Sequence, residues 1–511
     1  KKIIWLVYGV TEWRNKVVMI VLNGVINDSR VKKCATSLRN HGYDIRIFGL
    51  KKEVGRGTRT FKLDEGVEVT LFPDRRRSLP YGSHSGDKWR LLQLGLFSEI
   101  WPHIQKLKPD FIHSHDFGAI RLGHDLVERL RQEGNTSFWI HDLHEYVAGL
   151  EQMDEAVLRE ALLDQKELIN RANRLITVSG PIARELLVDY DLSTPPVTIF
   201  NCPRYPGKLS KIGVKESLQL ERDSPLIVYA GGLAKQRGLE NVISSLKTIG
   251  KYHLCIIADL NSKYIPVLEK LAAELKVKER VHFVNYVEYS ELPSFISDAD
   301  IAIHPMLKYK NGDLAMPNKI FDYLHSELPI IVGNCETMSK FVEKWKLGVS
   351  FESENISSLI SAIENLTENT PNIDFETREY LAKRYSWEKQ EEKLLTLYED
   401  ARKEMDLFQE VSTDIEVSLF VEGDSIKGNM DVDYFSGPFL LSLFENEKEE
   451  IKIEADKNGD FVFDVNSIST DSDNYELEFK ARRWGGNPLF KIKCEKNNGK
   501  WEVTKIPIKR G

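Results

Sequence analysis

Up to about residue 400 the chain alternates short apolar runs with amphipathic helical patterns, and this alternation constrains its fold more than any other feature. In the first half the apolar run Val17–Leu22 precedes a helical pattern over residues 29–40, and in the second half the run Leu226–Ala230 precedes another. Because such alternation is typical of parallel sheets covered by helices on both faces, we predict two doubly wound α/β domains, at residues 1–205 and 206–382.

Each strand of these two domains is expected to be a short run rich in Val, Ile and Leu, bounded by turn residues. In the first domain the strands are predicted at Val17–Leu22, Tyr43–Gly49, Phe111–His113, Ser137–His141 and Leu175–Val178. In the second domain they are predicted at Leu226–Ala230, Leu254–Ala258, Val281–Val284, Ile301–His304 and Ile330–Val332.

The pattern changes near Ser412, where the helical period disappears and β-rich runs take over. Their spacing predicts an all-β, sandwich-like domain at residues 412–511, preceded by a helix and linker at 383–411. Its strands are expected at Glu416–Val421, Phe439–Phe444, Ile451–Ile453, Phe461–Val465 and Tyr475–Lys480.

Composition excludes several classes of protein. The 70 basic and 78 acidic residues give a net charge of −8, which disfavours a nucleic-acid partner because phosphate contacts need a basic surface. The five cysteines are scattered, without a C-x-x-C pair, which argues against a disulfide framework and favours the reducing cytoplasm. The most apolar stretch, residues 1–25, contains Glu12, Arg14 and Lys16, so we expect neither a membrane span nor a signal peptide.

The segment 311–334, NGDLAMPNKIFDYLHSELPIIVGN, is the first candidate for a binding site. Pro317 suits the first turn of a helix, whose start offers unpaired N–H groups to phosphate oxygens. Lys319 would add a cation there, and Asp322 could accept two sugar hydroxyls. We expect Asp322 to face solvent in the empty site, and an ordinary Lys–Asp surface pair remains the alternative.

A second candidate is the turn 229–238, YAGGLAKQRG, between a predicted strand and a predicted helix. Gly231 and Gly232 would let the backbone approach a diphosphate, and Arg237 could clamp that group with two hydrogen bonds. The turn lies at the carboxyl end of a strand, where α/β sheets bind ligands. The motif is weak alone, and it gains weight from the helix segment in the same domain.

Other nucleotide-binding motifs are missing from the sequence. There is no G-x-x-x-x-G-K-[ST], and no G-x-G-x-x-G follows a predicted strand. The D-x-D at residues 298–300 leads directly into an apolar run, so a helix-to-strand turn is expected there in place of a metal site.

Four of the 12 histidines fall in two short segments, HSHD at 113–116 and HDLHE at 141–145, at the ends of adjacent predicted strands. Because these ends meet at one edge of the sheet, the pattern predicts a polar cleft. Metal ligation lacks the support of a helical H-x-x-x-H pair or a nearby cysteine, and no metal is expected.

Taken in order, these segments resemble the retaining GT-B glycosyltransferases of glycosyltransferase family 4, above all the bacterial surface-polysaccharide and glycoprotein type. The resemblance rests on NDSRV at 27–31, HGYDI at 41–45, DLHE at 142–145, LITVS at 175–179, PNKIFDY at 317–323 and YSWE at 385–388. It covers roughly residues 17–405 and leaves the β-rich region unexplained. Three roles stay open for that region: a structural prop or dimerisation surface, a binder of the glycan acceptor, and a contact for a partner protein. The family has two facing Rossmann-like domains, the second of which holds most of the nucleotide-sugar donor, and a C-terminal helix that returns toward the first.

The resemblance implies a set of site residues. The expected donor-binding residues are Gly231, Gly232, Arg237, Asp313, Leu314, Ala315, Met316, Lys319 and Asp322. His144 is expected to face the sugar as the catalytic histidine, with His141 as the competitor if the strand ends earlier. The expected acceptor-side residues are Asn27, His115, Asp116 and Glu145.

Four positions depart from the family pattern, one of which is Arg237 in place of the usual Lys. Asp322 stands where the ribose-binding acid is usually Glu, so the shorter side chain must reach further. Leu314 stands at the first acid of the Glu-x7-Glu pattern, so recognition of the sugar must use the backbone or Asp313. Gly232 replaces the usual Arg of the phosphate clamp, and Lys319 is expected to supply the missing cation.

The implied activity is transfer of a hexose-type group from a UDP- or GDP-linked sugar to a glycan, lipid-linked glycan or protein, with retention of configuration and without a metal or other cofactor. A nucleotide-sugar isomerase or hydrolase, and an inactive glycan-binding protein, remain alternatives. The enzyme is expected in the cytoplasm. The basic segment 74–78, DRRRS, leaves two interpretations open: contact with an anionic lipid carrier or the inner face of the membrane, or a solvated loop.

Overall fold

The structure is a computed structural model, and it describes residues 15–51, 57–63, 65–74, 85–151, 153–205, 213–371 and 373–414 together with the C-terminal strands given below. The basic segment predicted at 74–78 lies outside the described residues except for Asp74. Both predicted parallel-sheet α/β domains are present.

The first sheet consists of β1 (Lys16–Val21), β2 (Asp44–Lys51), β3 (Arg59–Lys62), β4 (Glu68–Pro73), β5 (Phe111–His115), β6 (Phe138–Leu143), β7 (Arg174–Thr177) and β8 (Val197–Thr198). The strand order is β3-β4-β2-β1-β5-β6-β7-β8, and the neighbours are parallel except for the antiparallel β3–β4 pair at one edge. The helices of this half are α1 (Ser29–Asn40), α2 (Ser85–Leu107), α3 (Ile120–Gln132), α4 (Glu155–Leu168) and α5 (Gly180–Asp189).

The second sheet consists of β9 (Leu226–Ala230), β10 (His253–Ile257), β11 (Val281–Val284), β12 (Ile301–His304), β13 (Ile330–Gly333) and β14 (Gly348–Phe351). The order is β11-β10-β9-β12-β13-β14, with every pair parallel. Its helices are α6 (Val214–Ser217), α7 (Leu239–Ser245), α8 (Ile265–Glu274), α9 (Leu292–Ile296), α10 (Lys310–Leu314), α11 (Asn318–His325), α12 (Glu336–Lys344), α13 (Ile356–Glu368) and α14 (Phe375–Arg384).

Each sheet separates two hydrophobic cores, one on either face. In β1 the residues Val17 and Met19 enter one core and Val18 and Ile20 enter the other. Because both faces are covered, the strand has no polar face, and its sequence is a continuous apolar run.

Helix α15 (Trp387–Asp414) leaves the second sheet and packs against the first. The Trp387 indole donates to the Ser37 hydroxyl at 2.8 Å, and the backbone N–H of Trp387 donates to the Pro203 carbonyl at 2.7 Å. Tyr398 lies further along the buried face of α15, and its hydroxyl is 2.9 Å from Nδ1 of His113. The two halves are therefore joined by a helix as well as by the chain near residue 205.

Beyond α15 the described residues form strands: β15 (Val417–Glu422), β16 (Ser425–Met430), β17 (Phe439–Glu445), β18 (Lys448–Ala455), β19 (Phe461–Asp464), β20 (Asn474–Lys480), β21 (Phe490–Asn497) and β22 (Lys500–Ile506). They pair antiparallel in two sheets, β15-β16-β19 and β18-β17-β20-β21-β22. Strands β21 and β22 were not predicted because their charged residues alternate with apolar ones, and β16 was not predicted because it has only two apolar residues, Ile426 and Met430.

Two strand ends differ from the sequence prediction in a way that matters for the site. Strand β5 continues to His115 and β6 continues to Leu143, two residues beyond each predicted end. All residues of both strands are buried, including the polar ones. Most buried polar side chains are hydrogen-bonded, and no pattern in the sequence reveals partners that come from other elements.

The D-x-D at 298–300 is a structural turn, as predicted. Asp298 accepts hydrogen bonds from the backbone N–H groups of Val214 and Lys215 at 2.8 and 3.1 Å, and Asp300 accepts one from that of Leu226 at 2.7 Å.

None of the helices that the structure describes combines the length with the apolar composition that is needed to cross a membrane.

Candidate functional site

A cavity of about 800 Å³, called the cleft below, lies between the two parallel-sheet domains. Its walls come from the carboxyl ends of both sheets: His144 and Val178 follow β6 and β7, and Gly231 and Ala258 follow β9 and β10. Parallel α/β sheets bind ligands at this edge. The cleft is therefore the candidate site.

Helix α11 places the predicted lysine–aspartate pair on the cleft wall. The ammonium of Lys319 lies 2.9 Å from Oδ2 of Asp322, and both residues line the cleft. Asp322 is only 5% exposed, so the expectation of a solvent-facing carboxylate is wrong. The reason is local: the side chain of Lys319, one turn earlier, covers the carboxylate and pairs with it.

The glycine turn after β9 forms another part of the wall. A Cβ on Gly231 would come within 3.0 Å of the Tyr229 hydroxyl, which donates to the Gly232 carbonyl at 2.7 Å. At the end of the turn Gly238 has φ 66°, and a Cβ there would lie 2.1 Å from the Pro305 carbonyl oxygen. Close packing at Gly231, and close packing with a left-handed backbone at Gly238, thus require glycine at these two positions.

Of the two cations in this turn, Lys235 and Arg237, only Arg237 lines the cleft. Its Nη1 lies 3.4 Å from the thioether sulfur of Met306, and within the described part of the chain no carboxylate forms an ion pair with it. Lys319, in contrast, is already paired with Asp322. A guanidinium directed into a cleft with a thioether as its neighbour retains its capacity to bind an anion.

His304, the last residue of β12, lines the cleft and was missed by the sequence analysis. It is 3% exposed and stacks on Tyr229, and neither ring nitrogen has a hydrogen-bond partner among the described residues. Burial, together with the charges of Arg237 and Lys319, lowers its pKa to about 3, so the ring is neutral at physiological pH. The sequence does contain a signal that could have identified His304, since it is a histidine at the end of a predicted strand, immediately before Pro305.

The cleft also extends to residues after β10 and β11 that sequence reasoning did not select. Asn285 and Tyr286 line this end together with Asp259 and Asn261. The Asp259 carboxylate accepts the backbone N–H and the side-chain amide of Asn261 at 2.9 and 3.0 Å. Tyr286 is 45% exposed, so its ring offers a flat surface to a planar group.

On the opposite wall, His144 and Glu145 follow β6 directly and line the cleft with Asn27. Burial lowers the pKa of His144, but the negative charges of Asp142 and Asp116 outweigh it, so the net shift is upward. Nε2 of His144 lies 3.7 Å from Oδ2 of Asp142. Burial raises the pKa of Glu145, and Asp116 adds to that rise.

His141 lies inside β6 and does not line the cleft. It is fully buried, and its Nδ1 lies 2.8 Å from the Ser114 hydroxyl. Burial lowers its pKa to about 3. Because β6 runs on to Leu143, the first histidine after the strand is His144, and the geometry selects His144 of the two candidates.

Two of the predicted acceptor-side residues also lie outside the cleft lining. His115 is fully buried in β5 and stacks on His113 with ring centroids 4.0 Å apart. The Asp116 carboxylate accepts the backbone N–H of Phe117 at 2.8 Å, which caps a short turn. Asn27 and Glu145 are the acceptor-side residues that reach the cleft.

The nitrogens of His113 and His115 and a carboxylate oxygen of Asp142 lie within 4.8 Å of one another. The two rings are stacked with planes 26° apart, whereas a metal must lie in the plane of each imidazole that coordinates it. Both Asp142 oxygens already accept hydrogen bonds from Arg30. This cluster therefore does not fit a metal ion.

Asp313 and Leu314 lie at the end of helix α10, where one contacts the second domain itself and the other contacts the first domain. The Asp313 carboxylate accepts the backbone N–H of Glu336 at 3.0 Å, and the Leu314 carbonyl accepts the Ser179 hydroxyl of the first domain at 2.6 Å. Neither residue lines the cleft, so the structure does not place these two expected donor-binding residues at the candidate site. The structure brings together Asn27, His144, Glu145, Gly231, Gly232, Arg237, Ala315, Met316, Lys319 and Asp322.

Two family models match consecutive parts of the chain. The model "Glycosyltransferase Family 4" matches residues 29–203, and the model "Glycosyl transferases group 1" matches residues 212–386. The chain is a GT-B glycosyltransferase. The boundary between the two matches falls at the junction of the two sheets, and the cleft of this glycosyltransferase lies between the two matched domains.

Curated relatives of this glycosyltransferase are distant. The "Uncharacterized glycosyltransferase MJ1607" of Methanocaldococcus jannaschii is 19% identical over 324 residues, which cover 58% of this chain and 77% of that protein. The "Uncharacterized 41.2 kDa protein in cps region" of Klebsiella pneumoniae is 21% identical over 162 residues, 31% of this chain and 42% of that protein.

Solved structures share the GT-B fold. Sucrose-phosphate synthase from Thermosynechococcus elongatus has a TM-score of 0.61 at 16% identity, over 76% of this chain and 100% of that one. Anabaena HepE, solved in complex with UDP and glucose, has a TM-score of 0.59 at 14% identity, over 75% of this chain and 99% of that one.

Proposed function

We propose that this glycosyltransferase transfers a hexose-type sugar from a nucleoside-diphosphate donor to a hydroxyl of a glycan, lipid-linked glycan or protein, with retention of anomeric configuration. The observation that carries the proposal is the position of Arg237, a guanidinium in the glycine turn that lines the cleft and forms no ion pair in the described structure. A diphosphate would supply the anion that this guanidinium lacks.

The donor would lie along the second-domain wall. Arg237, Lys319 and the free N–H groups at the start of α11 would surround the diphosphate, and neutral His304 would donate one hydrogen bond to it. Asp322 would accept the ribose hydroxyls, and the planar base would lie against Tyr286. Anabaena HepE was solved with UDP and glucose, which makes a uridine donor the first to test.

In the proposed reaction the acceptor hydroxyl oxygen forms a bond to the anomeric carbon. The bond from that carbon to the phosphate oxygen breaks, and its electron pair stays on the departing diphosphate. The hydroxyl proton passes to an oxygen of that diphosphate. Arg237 and Lys319 would stabilise the charge that develops on the leaving group, as preorganised donors do in other transfer enzymes.

His144 would face the transferred sugar. Its raised pKa favours the imidazolium, which can donate to a sugar hydroxyl or to the departing oxygen. The buried Arg30–Asp142 pair lies directly beneath it and would act as a positioning pair. The cations and amides of the cleft would carry the diphosphate charge, so we propose that no metal ion is needed.

The remaining proposals concern the location of the enzyme in the cell and the roles of the basic segment and the C-terminal strands. We propose a cytoplasmic enzyme whose basic segment at 74–78 contacts an anionic lipid carrier or the inner face of the membrane. The strands beyond α15 would form a separate β domain, and a structural role for it is favoured over acceptor binding.

Calorimetric titration of the full chain with UDP-, GDP- and ADP-sugars tests the donor site. We expect one nucleotide class to bind and Arg237→Ala to weaken it by about 100-fold, the equivalent of two lost charge-assisted hydrogen bonds. Lys235→Ala, an exposed cation two residues away that does not line the cleft, is the matched control and should leave the affinity within twofold. Absence of heat with every nucleotide sugar would reject the proposal.

Nucleotide release should then be measured with and without an extract of acceptor glycans. A glycosyltransferase releases nucleotide faster when acceptor is added. Conversion or cleavage of the sugar at the same rate in both samples would instead identify an isomerase or hydrolase.

A further inference from the structure

A second cavity, called the side pocket below, opens next to the cleft and has a volume of about 230 Å³. Both domains contribute to it, the first through the segment after β6 and the second through the glycine turn. It is lined by Glu145, Leu150, Glu151, Met153, Ala234, Gln236, Arg237 and Tyr309. Half of these residues belong to the motifs at 142–145 and 229–238, whereas Leu150, Glu151, Met153 and Tyr309 belong to none.

Three residues, Glu145, Arg237 and Tyr309, line both the side pocket and the cleft. A ligand in either cavity would therefore contact the same side chains, and two ligands bound together would be neighbours. Group transfer requires this arrangement, because the acceptor oxygen must come within reach of the reacting carbon of the donor.

The charges of the side pocket select against an anion. Its described lining contains the carboxylates of Glu145 and Glu151 and one cation, Arg237, which also borders the cleft. A phosphate or carboxylate group here would meet two like charges, whereas sugar hydroxyls can donate to them. Leu150 and Met153 supply apolar surface that suits the C–H face of a sugar ring.

The frame of the side pocket is held in place by contacts between the domains. The backbone N–H of Tyr146 donates to Oδ1 of Asn311 at 2.8 Å. A Cβ on Gly149 would lie 2.7 Å from the Asn311 backbone nitrogen, so the segment after β6 packs directly on the second domain. The pocket wall is thus preorganised by backbone contacts.

We propose that the side pocket is the acceptor subsite and that it binds one neutral or amino-substituted monosaccharide unit, excluding phosphorylated and carboxylated groups. This inference rests on the proposed function, since an acceptor subsite has meaning only beside a donor site. Glu145, at the junction of the two cavities, would accept a hydrogen bond from a neighbouring hydroxyl of the acceptor sugar, one that does not react.

The test is a glycan array probed with the full chain saturated with the nucleotide found by calorimetry. The array presents neutral, amino, carboxylated and phosphorylated glycans in matched sets. We expect signals on neutral or amino glycans and at least tenfold weaker signals on their anionic counterparts. Glu151→Lys should raise the relative signal on anionic glycans several-fold, while Glu274→Lys, an equal charge change on exposed α8, should leave the pattern unchanged.

Met153→Trp fills the side pocket and should reduce glycan signals at least tenfold, whereas nucleotide affinity should stay within twofold because Met153 does not line the cleft. Val188→Trp, at a position that is 78% exposed, controls for the added ring. A preference for anionic glycans, no glycan signal at all, or an unchanged pattern with Met153→Trp would overturn the inference. Nucleotide binding in the same samples shows whether the donor proposal survives.

Discussion

The guanidinium of Arg30 on α1 holds both carboxylate oxygens of Asp142 on β6, with Nε–Oδ2 and Nη2–Oδ1 distances of 2.7 and 2.8 Å. A third donor, Nη1, reaches the Ile199 carbonyl at 2.7 Å. Burial alone would raise the pKa of Asp142, but Arg30 and then His144 hold it well below its usual value. The pair therefore fixes a negative charge directly beneath His144.

Replacing Arg30 by Met should lower the free energy of unfolding by about 3 to 5 kcal/mol, because it leaves the buried Asp142 carboxylate unpaired. Urea denaturation followed by tryptophan fluorescence measures this loss. The double variant Arg30→Met/Asp142→Leu should recover most of the stability, since it removes both charges. A loss below about 1 kcal/mol in the single variant would contradict a firmly held pair.

Asp322→Ala should weaken nucleotide-sugar binding by about 30- to 100-fold, because two ribose hydroxyls lose their acceptor. Since Asp322 is nearly buried and paired with Lys319, the variant should also lose about 1 to 3 kcal/mol of stability. Calorimetry and urea denaturation separate the two effects. Asp223→Ala, in an exposed loop outside the cleft lining, is the control, and unchanged affinity in Asp322→Ala would exclude the ribose role.

Nucleotide affinity should depend on pH through His144. Its folded-state pKa lies above the unfolded value of about 6.5, so the imidazolium and its stabilising contact with Asp142 are fully present below that pH and are lost as the pH rises through the folded pKa. We expect the affinity for the nucleotide sugar to fall as the pH rises through the folded-state pKa of His144, because the imidazolium that donates to the sugar is lost.

His144→Gln should remove this dependence while binding remains measurable. His141→Gln is the matched control, because burial lowers the pKa of His141 to about 3 and its ring stays neutral across the interval. Imidazole nitrogen NMR shifts would assign the titration, and a pH profile that persists in His144→Gln would show that another group is responsible.

His304→Leu should reduce nucleotide affinity by about tenfold, through loss of one hydrogen bond to the diphosphate. Stability should stay the same or rise, because the ring nitrogens have no partner among the described residues and the leucine restores apolar packing. His304→Gln, which keeps a donor, should remain within about threefold of the parent affinity. Calorimetry measures the affinity and thermal unfolding measures the stability. Equal nucleotide affinity of the parent protein and both variants would show that the diphosphate does not contact His304.

Local pattern was sufficient to predict the two parallel-sheet domains and ten of their 14 strands, whereas β3, β4, β8 and β14 were not predicted. Runs such as Val17–Val21 predict a buried strand because the residues of each face contact a different core. Likewise Gly231, Gly232 and Arg237 could be selected before any contact was known, because a tight turn at a strand end has its own residue requirements. Periodicity and backbone conformation are properties of neighbours in the chain, and a sequence shows them directly.

Only the tertiary structure selected His144 over His141, covered Asp322 and brought His304 into the cleft. Strand β6 extends past His141 because its polar residues find partners elsewhere: Asp142 meets Arg30, which lies 112 positions away in the chain. The stability of a buried polar group depends on such distant partners, and no local pattern contains them. The amino-acid sequence alone therefore established the two-domain scaffold and several residues of the cleft, whereas contacts across the fold determined which of the candidate side chains line it.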